Sequence, residues 1–282
     1  MKKIIFSLCL ILYTTLAFAD GKQDSILIIK ADWATKTTAE GLTHKQAQIK
    51  GLFNSVQSIN LIEIPRSAKR KIGIAGNEGM KKTSQQATEK EALAAINGTY
   101  YNMKVGNSTC FYKINREVID TTLNGEFKNR VNGAVREVKG KIKIIDWNKE
   151  IETNYKRNKG TILASGPIML ENGRISDWSA CGKSFIDTRH PRSAIYTKKD
   201  GTIVFITVDG RSEGNAAGVS IPELAFLIRI LGGKEAINLD GGGSTTLWLK
   251  GAPDNGVLNY PTDNQIFDHT GERSVSNIFY VK

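Results

Sequence analysis

The sequence has little of what most familiar chemistries require. Three cysteines in 282 residues are too few for a disulfide-dense scaffold, and none stands in a C-x-x-C pair. The three histidines lie far apart, so zinc-ligand spacing is missing and no metal is expected. There is no G-x-x-x-x-G-K-[ST] loop and no G-x-G-x-x-G, so nucleotide-binding folds lack their fingerprints and no cofactor is expected. Ser244 is not in a G-x-S-x-G elbow, because Thr246 occupies the place of the last glycine, and no histidine is near it in sequence. No internal repeat, low-complexity tract or nucleic-acid-binding motif is found, and no apolar stretch after the first 19 residues is long enough to span a membrane.

What remains is an ordinary globular composition, 40% hydrophobic and 24% charged, on a chain long enough to bury a core without staples. Met1-Lys2-Lys3, the apolar run from Ile4 to Leu16 and the small-x-small Ala17-Phe18-Ala19 read as a secretory signal peptide over residues 1–19. The expected product, residues 20–282, is one exported domain, periplasmic or extracellular, with no stable membrane insertion. Removing the signal takes Lys2 and Lys3 and lowers the formal net charge from +11 to +9. It also takes Cys9, which leaves Cys110 and Cys181 either as a disulfide pair or as two free thiols. The charge is uneven: residues 20–160 carry a net +10 and residues 161–282 a net −1. A basic half suits an anionic partner, but Lys139, Lys141 and Lys143 alternate with Gly140, Ile142 and Ile144 like the wet face of a strand.

Strands are expected at Ser25–Lys30, Ile59–Ile64, Lys71–Ala75, Cys110–Ile114, Val118–Thr121, Val131–Val138 and Lys141–Trp147. Thr161–Leu170 reads as a strand pair or one bent strand around Ser165-Gly166-Pro167. Later come Ser193–Thr197, Ile203–Val208, Ala236–Leu239, Thr245–Leu249 and Ser276–Val281. Thr83-Ser84-Gln85-Gln86 has capping-box form and opens a helix to about Ala94. Ser220-Ile221-Pro222-Glu223 opens another, with Leu224, Leu227, Ile228 and Leu231 on one face. Strands outnumber helices and do not alternate with them. The fold class is therefore α+β, mainly antiparallel or mixed sheet with about two substantial helices.

The strongest local feature is Asn238-Leu239-Asp240-Gly241-Gly242-Gly243-Ser244-Thr245-Thr246. Three glycines between two apolar strands weaken both, and consecutive peptide N–H groups there can converge on an anion. Thr207-Val208-Asp209-Gly210-Arg211, Arg189-His190-Pro191-Arg192 and Asn97-Gly98 likewise place polar groups at the ends of apolar strands. Trp178, Trp248 and Tyr260 are candidate platforms for a sugar ring, although such rings are more often simply buried. His190 reads as a loop residue.

These pieces resemble the phosphodiester glycosidase family. The matching runs are Ala95-Ile96-Asn97-Gly98, Ser165-Gly166-Pro167, Pro191-Arg192-Ser193-Ala194, Val208-Asp209-Gly210-Arg211, Pro222-Glu223-Leu224-Ala225, Asn238 to Ser244 and Arg273-x-Val275-Ser276-Asn277, all within residues 90–282. Thr99 and Ser193 depart from the usual pattern. The resemblance implies an exported hydrolase that cleaves the glycosidic bond of a sugar-1-phosphodiester, in a substrate that is anionic and in some cases polymeric. It implies Asp240, then Asp209, as the carboxylate that activates water or steadies an oxocarbenium-like centre, with Glu223 as a further candidate that also completes the capping box. Arg192, Arg211 and Arg273 are the implied phosphate clamps, with the amides of Gly241, Gly242 and Gly243, and Ser244, around the leaving phosphate. Asn97 is the implied contact to a sugar hydroxyl. A non-catalytic phosphoglycan-binding protein on the same fold, or a metal-dependent phosphodiesterase that breaks P–O bonds, are the alternatives.

Overall fold

The apolar alternation of residues 192–208 builds the middle of the largest sheet. The computed structural model describes residues 21–282, so the signal peptide assigned to residues 1–19 lies outside the described residues. Strands β13 (Arg192–Lys198) and β14 (Ile203–Val208) form a hairpin in which Ile195 faces Phe205 and Ala194 faces Ile206. Its turn holds Gly201 at φ 84°, as the Asp-Gly pair leads one to expect. Around it lie β1 (Ala34–Thr37), β2 (Thr43–Lys50), β3 (Val56–Ile64), β11 (Ile168–Glu171), β12 (Arg174–Ile175) and β15 (Gly233–Asn238). The sheet order is β1-β2-β3-β14-β13-β15-β11-β12.

A four-stranded sheet runs β16-β5-β17-β4, from Leu247–Leu249 (β16), Ala94–Asn97 (β5), Ser274–Val281 (β17) and Ile72–Lys82 (β4). A five-stranded sheet runs β7-β6-β10-β8-β9, from Glu117–Asp120 (β7), Tyr112–Ile114 (β6), Thr161–Ser165 (β10), Gly133–Val138 (β8) and Lys141–Asp146 (β9). All the ladders within these sheets are antiparallel. The three sheets meet over one core, to which Phe205 and Ile237 come from the large sheet, Ile96 and Phe279 from the small one and Val135 and Leu163 from the third. The opposite face of the large sheet is covered by helix α6 (Ile221–Ile230), whose Leu224, Leu227 and Ile228 meet Ala194, Val204 and Ala236.

The α+β class with antiparallel sheet holds. The helices differ in detail. Residues 21–29 form a helix, α1, where a strand was expected at Ser25–Lys30. Ile28 is fully buried beside Leu52 and Phe53 while Ile29 is exposed, and Asp24 accepts the Phe53 amide at 3.0 Å. This docking outweighs the β-propensity of the isoleucines. Helix α2 (Thr83–Glu89) starts on Thr83, with Lys82 N–H donating to Gln85 Oε1, and stops short of Ala94, which β5 needs for its place beside β16 and β17. Among the described residues three helices have seven or more residues, α1, α2 and α6, against the about two expected. Short helices α3 (Asn124–Asn129), α4 (Lys149–Thr153) and α5 (Lys183–Asp187) lie in connections between the expected strands.

Cys110 and Cys181 are not joined. Cys110 is fully buried with Phe111, Trp147 and Ile162, and Cys181 lies against the α6 side of the core. Burial pushes the Cys110 thiol up to about 12, so it serves as a small core side chain.

Phe205 sits at the centre of the large sheet with no exposed surface. Phe205→Ala should cost about 3–5 kcal/mol, read as a lower urea midpoint with little change in slope.

Candidate active site

The C-terminal end of β15 stops at a corner where the large and small sheets touch. Here β15 ends beside the start of β13, which lies beside the end of β14, so residues 192, 208 and 238 share one end of the sheet. The chain then passes through Asp240 and the three glycines into β16 of the small sheet. One buried amide joins the parts. Asn97, at the end of β5, donates through Nδ2 to the Asp240 carbonyl at 2.7 Å. Its Oδ1 accepts from Ser193 Oγ at 2.6 Å and from the Thr246 amide at 3.1 Å. Asn97 is fully buried, and its side chain fixes the backbone on both sides of the glycine run.

The Asp240 side chain is partly exposed, and its Oδ1 accepts the Gly241 amide at 2.9 Å. Burial pushes its carboxyl above the ordinary range. The Ser244 hydroxyl, the Gly241 amide and the charges of Arg130 and Arg273 pull the other way. Gly242 lies at φ 61°, in the left-handed region that glycine enters without strain. A Cβ there would lie 3.0 Å from the Arg211 guanidinium, and one on Gly243 would lie 2.5 Å from that of Arg273. Two guanidinium groups therefore flank the glycine corner. Arg273 donates to Asp263 at 2.7 Å. Arg211 is exposed, with no carboxylate in salt-bridge range among the described residues. The amides of Gly241 and Gly242 are already used, the first by Asp240 and the second by the Pro191 carbonyl at 2.8 Å. They do not form the three-amide cradle that the glycine run suggested.

Two expected site residues, Arg192 and Asp209, turn inward, and a third, Glu223, is half-buried at a helix start. Arg192 is 2% exposed and gives its donors to the carbonyls of Val219, Phe185 and Thr188 at 3.2, 2.9 and 3.0 Å. Burial brings its guanidinium down to about 10. Asp209 is 1% exposed: Oδ2 accepts from Ser58 Oγ at 2.7 Å, and Oδ1 accepts from Asn259 Nδ2 at 3.0 Å and the Tyr260 amide at 2.9 Å. These neutral donors do not cancel the cost of burial, which raises its carboxyl as well. Glu223 completes the capping box through the Ser220 amide at 2.8 Å and is gripped by Arg189, whose Nε donates to both carboxylate oxygens at 3.0 Å. Geometry commits all three to holding strands, loop and helix in place.

Sequence reasoning passed over Arg130, Tyr100 and Tyr101. The Arg130 guanidinium lies 3.6 Å from the centre of the Tyr100 ring and pairs with Glu126 at 2.6 Å. Tyr100 is fixed in turn by donating to the Gly166 carbonyl at 2.6 Å and accepting from Asn238 Nδ2 at 2.8 Å. Tyr101 donates to the Ser274 carbonyl at 2.9 Å, with Ser244 Oγ 3.4 Å away. The two tyrosines directly follow Asn97-Gly98-Thr99, so that motif was their available signal; nothing near Arg130 offered one. Among the described residues, no group of three or more His, Cys, Asp or Glu side chains is arranged to hold a metal ion. No helix among them is long and apolar enough to cross a membrane.

Residues 90–282 match the family model for phosphodiester glycosidases. An uncharacterized prophage-derived protein of Bacillus subtilis is 24% identical over 232 residues, which are 82% of this chain and 34% of that protein. The N-acetylglucosamine-1-phosphodiester alpha-N-acetylglucosaminidase of Mus musculus is 27% identical over 183 residues, 60% of this chain and 33% of that protein. The chain thus spans about a third of the length of these curated relatives. The solved catalytic domain of the zebrafish protein of that name superposes with a TM-score of 0.66 at 17% identity, covering 88% of this chain and 87% of that one.

Two stability measurements follow from the corner. Because the folded Asp240 titrates above its unfolded value, its contribution to stability is complete below the unfolded pKa and is lost as pH rises through the folded one. At pH 7 Asp240→Asn should therefore melt above the wild type, and the gap should close below about pH 4. Glu223→Ala, which loses the box and the Arg189 pair, should lower stability by about 1–2 kcal/mol.

Proposed function

The chain belongs to the phosphodiester glycosidase family, and from that premise we propose that it is an exported hydrolase that cleaves the glycosidic bond of a sugar-1-phosphodiester. The observation that carries the reading is one partly exposed carboxylate, Asp240, at a side-chain-free glycine corner flanked by Arg211 and Arg273. An anionic phosphodiester can come close there because no Cβ stands in front of the guanidinium groups. The names of the mammalian relatives, which specify an N-acetylglucosamine-1-phosphodiester, support the substrate class.

In this reading Arg211 and Arg273 bind the phosphate oxygens and neutralise charge as the bond breaks. The bond from the anomeric carbon to the phosphodiester oxygen cleaves, and the electron pair leaves with the phosphate as a monoester. Water supplies the new oxygen at the anomeric carbon, and Asp240, ionised, takes its proton. Arg130 adds positive charge behind Asp240. Ser244 and Tyr101 keep the corner in shape. Asn97, Asp209, Arg192 and Glu223 hold the elements that present these groups. Export rests on the basic and apolar N-terminal pattern of residues 1–19.

On an aryl phosphodiester of a 1-phospho sugar, Asp240→Asn should lower kcat by about a hundredfold to ten-thousandfold. Glu223→Ala should keep kcat within a few-fold, and Arg211→Ala should both raise KM and lower kcat. Full turnover by Asp240→Asn would overturn the assignment. Since the ionised carboxylate is the working form and burial raises its pKa, kcat should fall on the acid side at a pH above the ordinary aspartate value of about 3.9. That limb should be absent from the residual activity of Asp240→Asn.

A further inference from the structure

A second opening lies along the same end of the large sheet, on the far side of Asp209 from the glycine corner. Its cavity is about 280 Å³, close to the lower end of the range for small-molecule sites, about 300–1,000 Å³. The register explains its polar floor. Ser193 faces Thr207, Thr207 faces Asn60, and Asn60 faces Gln46, so one row of polar side chains crosses four strands from the Asn97 junction to β2. Gln46, Gln48, Ser58 and Asn60 line the cleft, and Tyr260 and Phe267 form a wall.

The lining is built and only partly satisfied. Tyr260 stacks on Phe267 with ring centres 4.1 Å apart and planes at 14°, and His269 lies against Tyr260 at 4.3 Å. The His269 ring is itself held, Nδ1 lying 2.7 Å from the Asn259 carbonyl. The Tyr260 amide is bound to Asp209, so the wall is fixed to the sheet end. Asn60 is 2% exposed; its Oδ1 meets His44 Nε2 at 3.0 Å, while its Nδ2 has no protein hydrogen-bond partner among the described residues. Gln48 gives Nε2 to the Asn215 carbonyl at 3.1 Å, which leaves its oxygen to accept. Among the described residues Asp32 is the only carboxylate in the lining, and no Lys or Arg side chain lines the cleft.

The geometry points to a binding subsite for one neutral sugar unit of a glycan chain, formed by the Tyr260–Phe267 wall and the amides of Gln46, Gln48 and Asn60. Tyr260 is covered by Phe267 and His269, so the Phe267 face turned away from Tyr260 is the rigid aromatic surface for the C–H face of a pyranose, and unspent amide donors and acceptors suit its hydroxyls. With no Lys or Arg in the described lining and with Asp32 in it, the cleft disfavours a phosphate, in contrast to the glycine corner. From β15 to β3 is three strand steps and to β2 four, about 14–19 Å at the usual interstrand spacing. A chain of a few sugars would span that distance, whereas a single sugar phosphodiester would not. That the subsite lies on the substrate path rests on the glycosidase reading; that it binds a sugar does not.

The test is titration of the full chain with neutral oligosaccharides (chitotetraose, mannotetraose, cellotetraose and maltotetraose), followed by calorimetry and saturation-transfer NMR. At least one should bind; Tyr260→Ala, which removes the ring that supports Phe267, and Gln46→Ala, which removes one hydrogen-bonding contact, should each weaken it about five- to tenfold. Asp240→Asn should bind it as the wild type does. Gln46 is exposed, so its variant should remain folded if Tyr260→Ala does not. No binding by any of the four at millimolar concentration, or equal binding by both cleft variants and wild type, overturns the subsite. So does binding lost in Asp240→Asn but kept in the cleft variants. Failure of turnover with cleft-dependent binding intact would count against the hydrolase reading alone.

Discussion

The site depends on one buried amide. Asn97 ends a strand of the small sheet, and its side chain bonds to Ser193 of the large sheet, to the Asp240 carbonyl and to the Thr246 amide. These bonds hold the chain on both sides of a run that glycine would otherwise leave loose. Three bonds to one fully buried side chain make this a high-stakes junction, because an unpaired donor or acceptor there meets no water. The Asp240 amide adds a bond to the Gly98 carbonyl at 3.0 Å, so backbone and side chain fix the same corner.

On this frame the electrostatics are local. Burial opposes the Asp240 charge, and nearby arginines partly restore it. Each of these cations has its own constraint: Arg130 on Tyr100 and Glu126, Arg273 on Asp263, Arg192 on three carbonyls. Arg211 is the exception, exposed beside Gly242 and the most accessible to an incoming anion. The chain's net +11 has little part in this, since residues 161–282 carry a net −1. Of the basic half, Lys141 and Lys143 lie on the exposed face of β9 as the alternation suggested, while Arg130 follows directly on the short helix α3.

Much of this was legible because the local signals agree with the tertiary result. The range of β14, the Asp-Gly hairpin, the Ser220–Glu223 box and the glycine corner all follow from patterns of a few residues. The misses have the opposite cause. Ser25–Lys30 is strand-like alone and helical because Ile28 docks beside Phe53. Strand β2 reads Thr-His-Lys-Gln-Ala-Gln-Ile-Lys and shows its alternation only at Ala47 and Ile49. Whether a charged side chain faces a cleft or the interior depends on partners far away in sequence. Arg192 and Asp209 carry family motifs, yet their donors and acceptors are taken by Val219, Ser58 and Asn259. Arg130 becomes relevant only through the Tyr100 ring beneath it.

The central claim is that this corner breaks the bond on the sugar side of the phosphodiester, with the phosphate held by arginine and the carboxylate facing the anomeric carbon. Hydrolysis in ¹⁸O-enriched water separates this from attack at phosphorus. The account predicts that the label enters the released sugar at its anomeric carbon and is absent from the phosphate monoester. Label in the phosphate would contradict it.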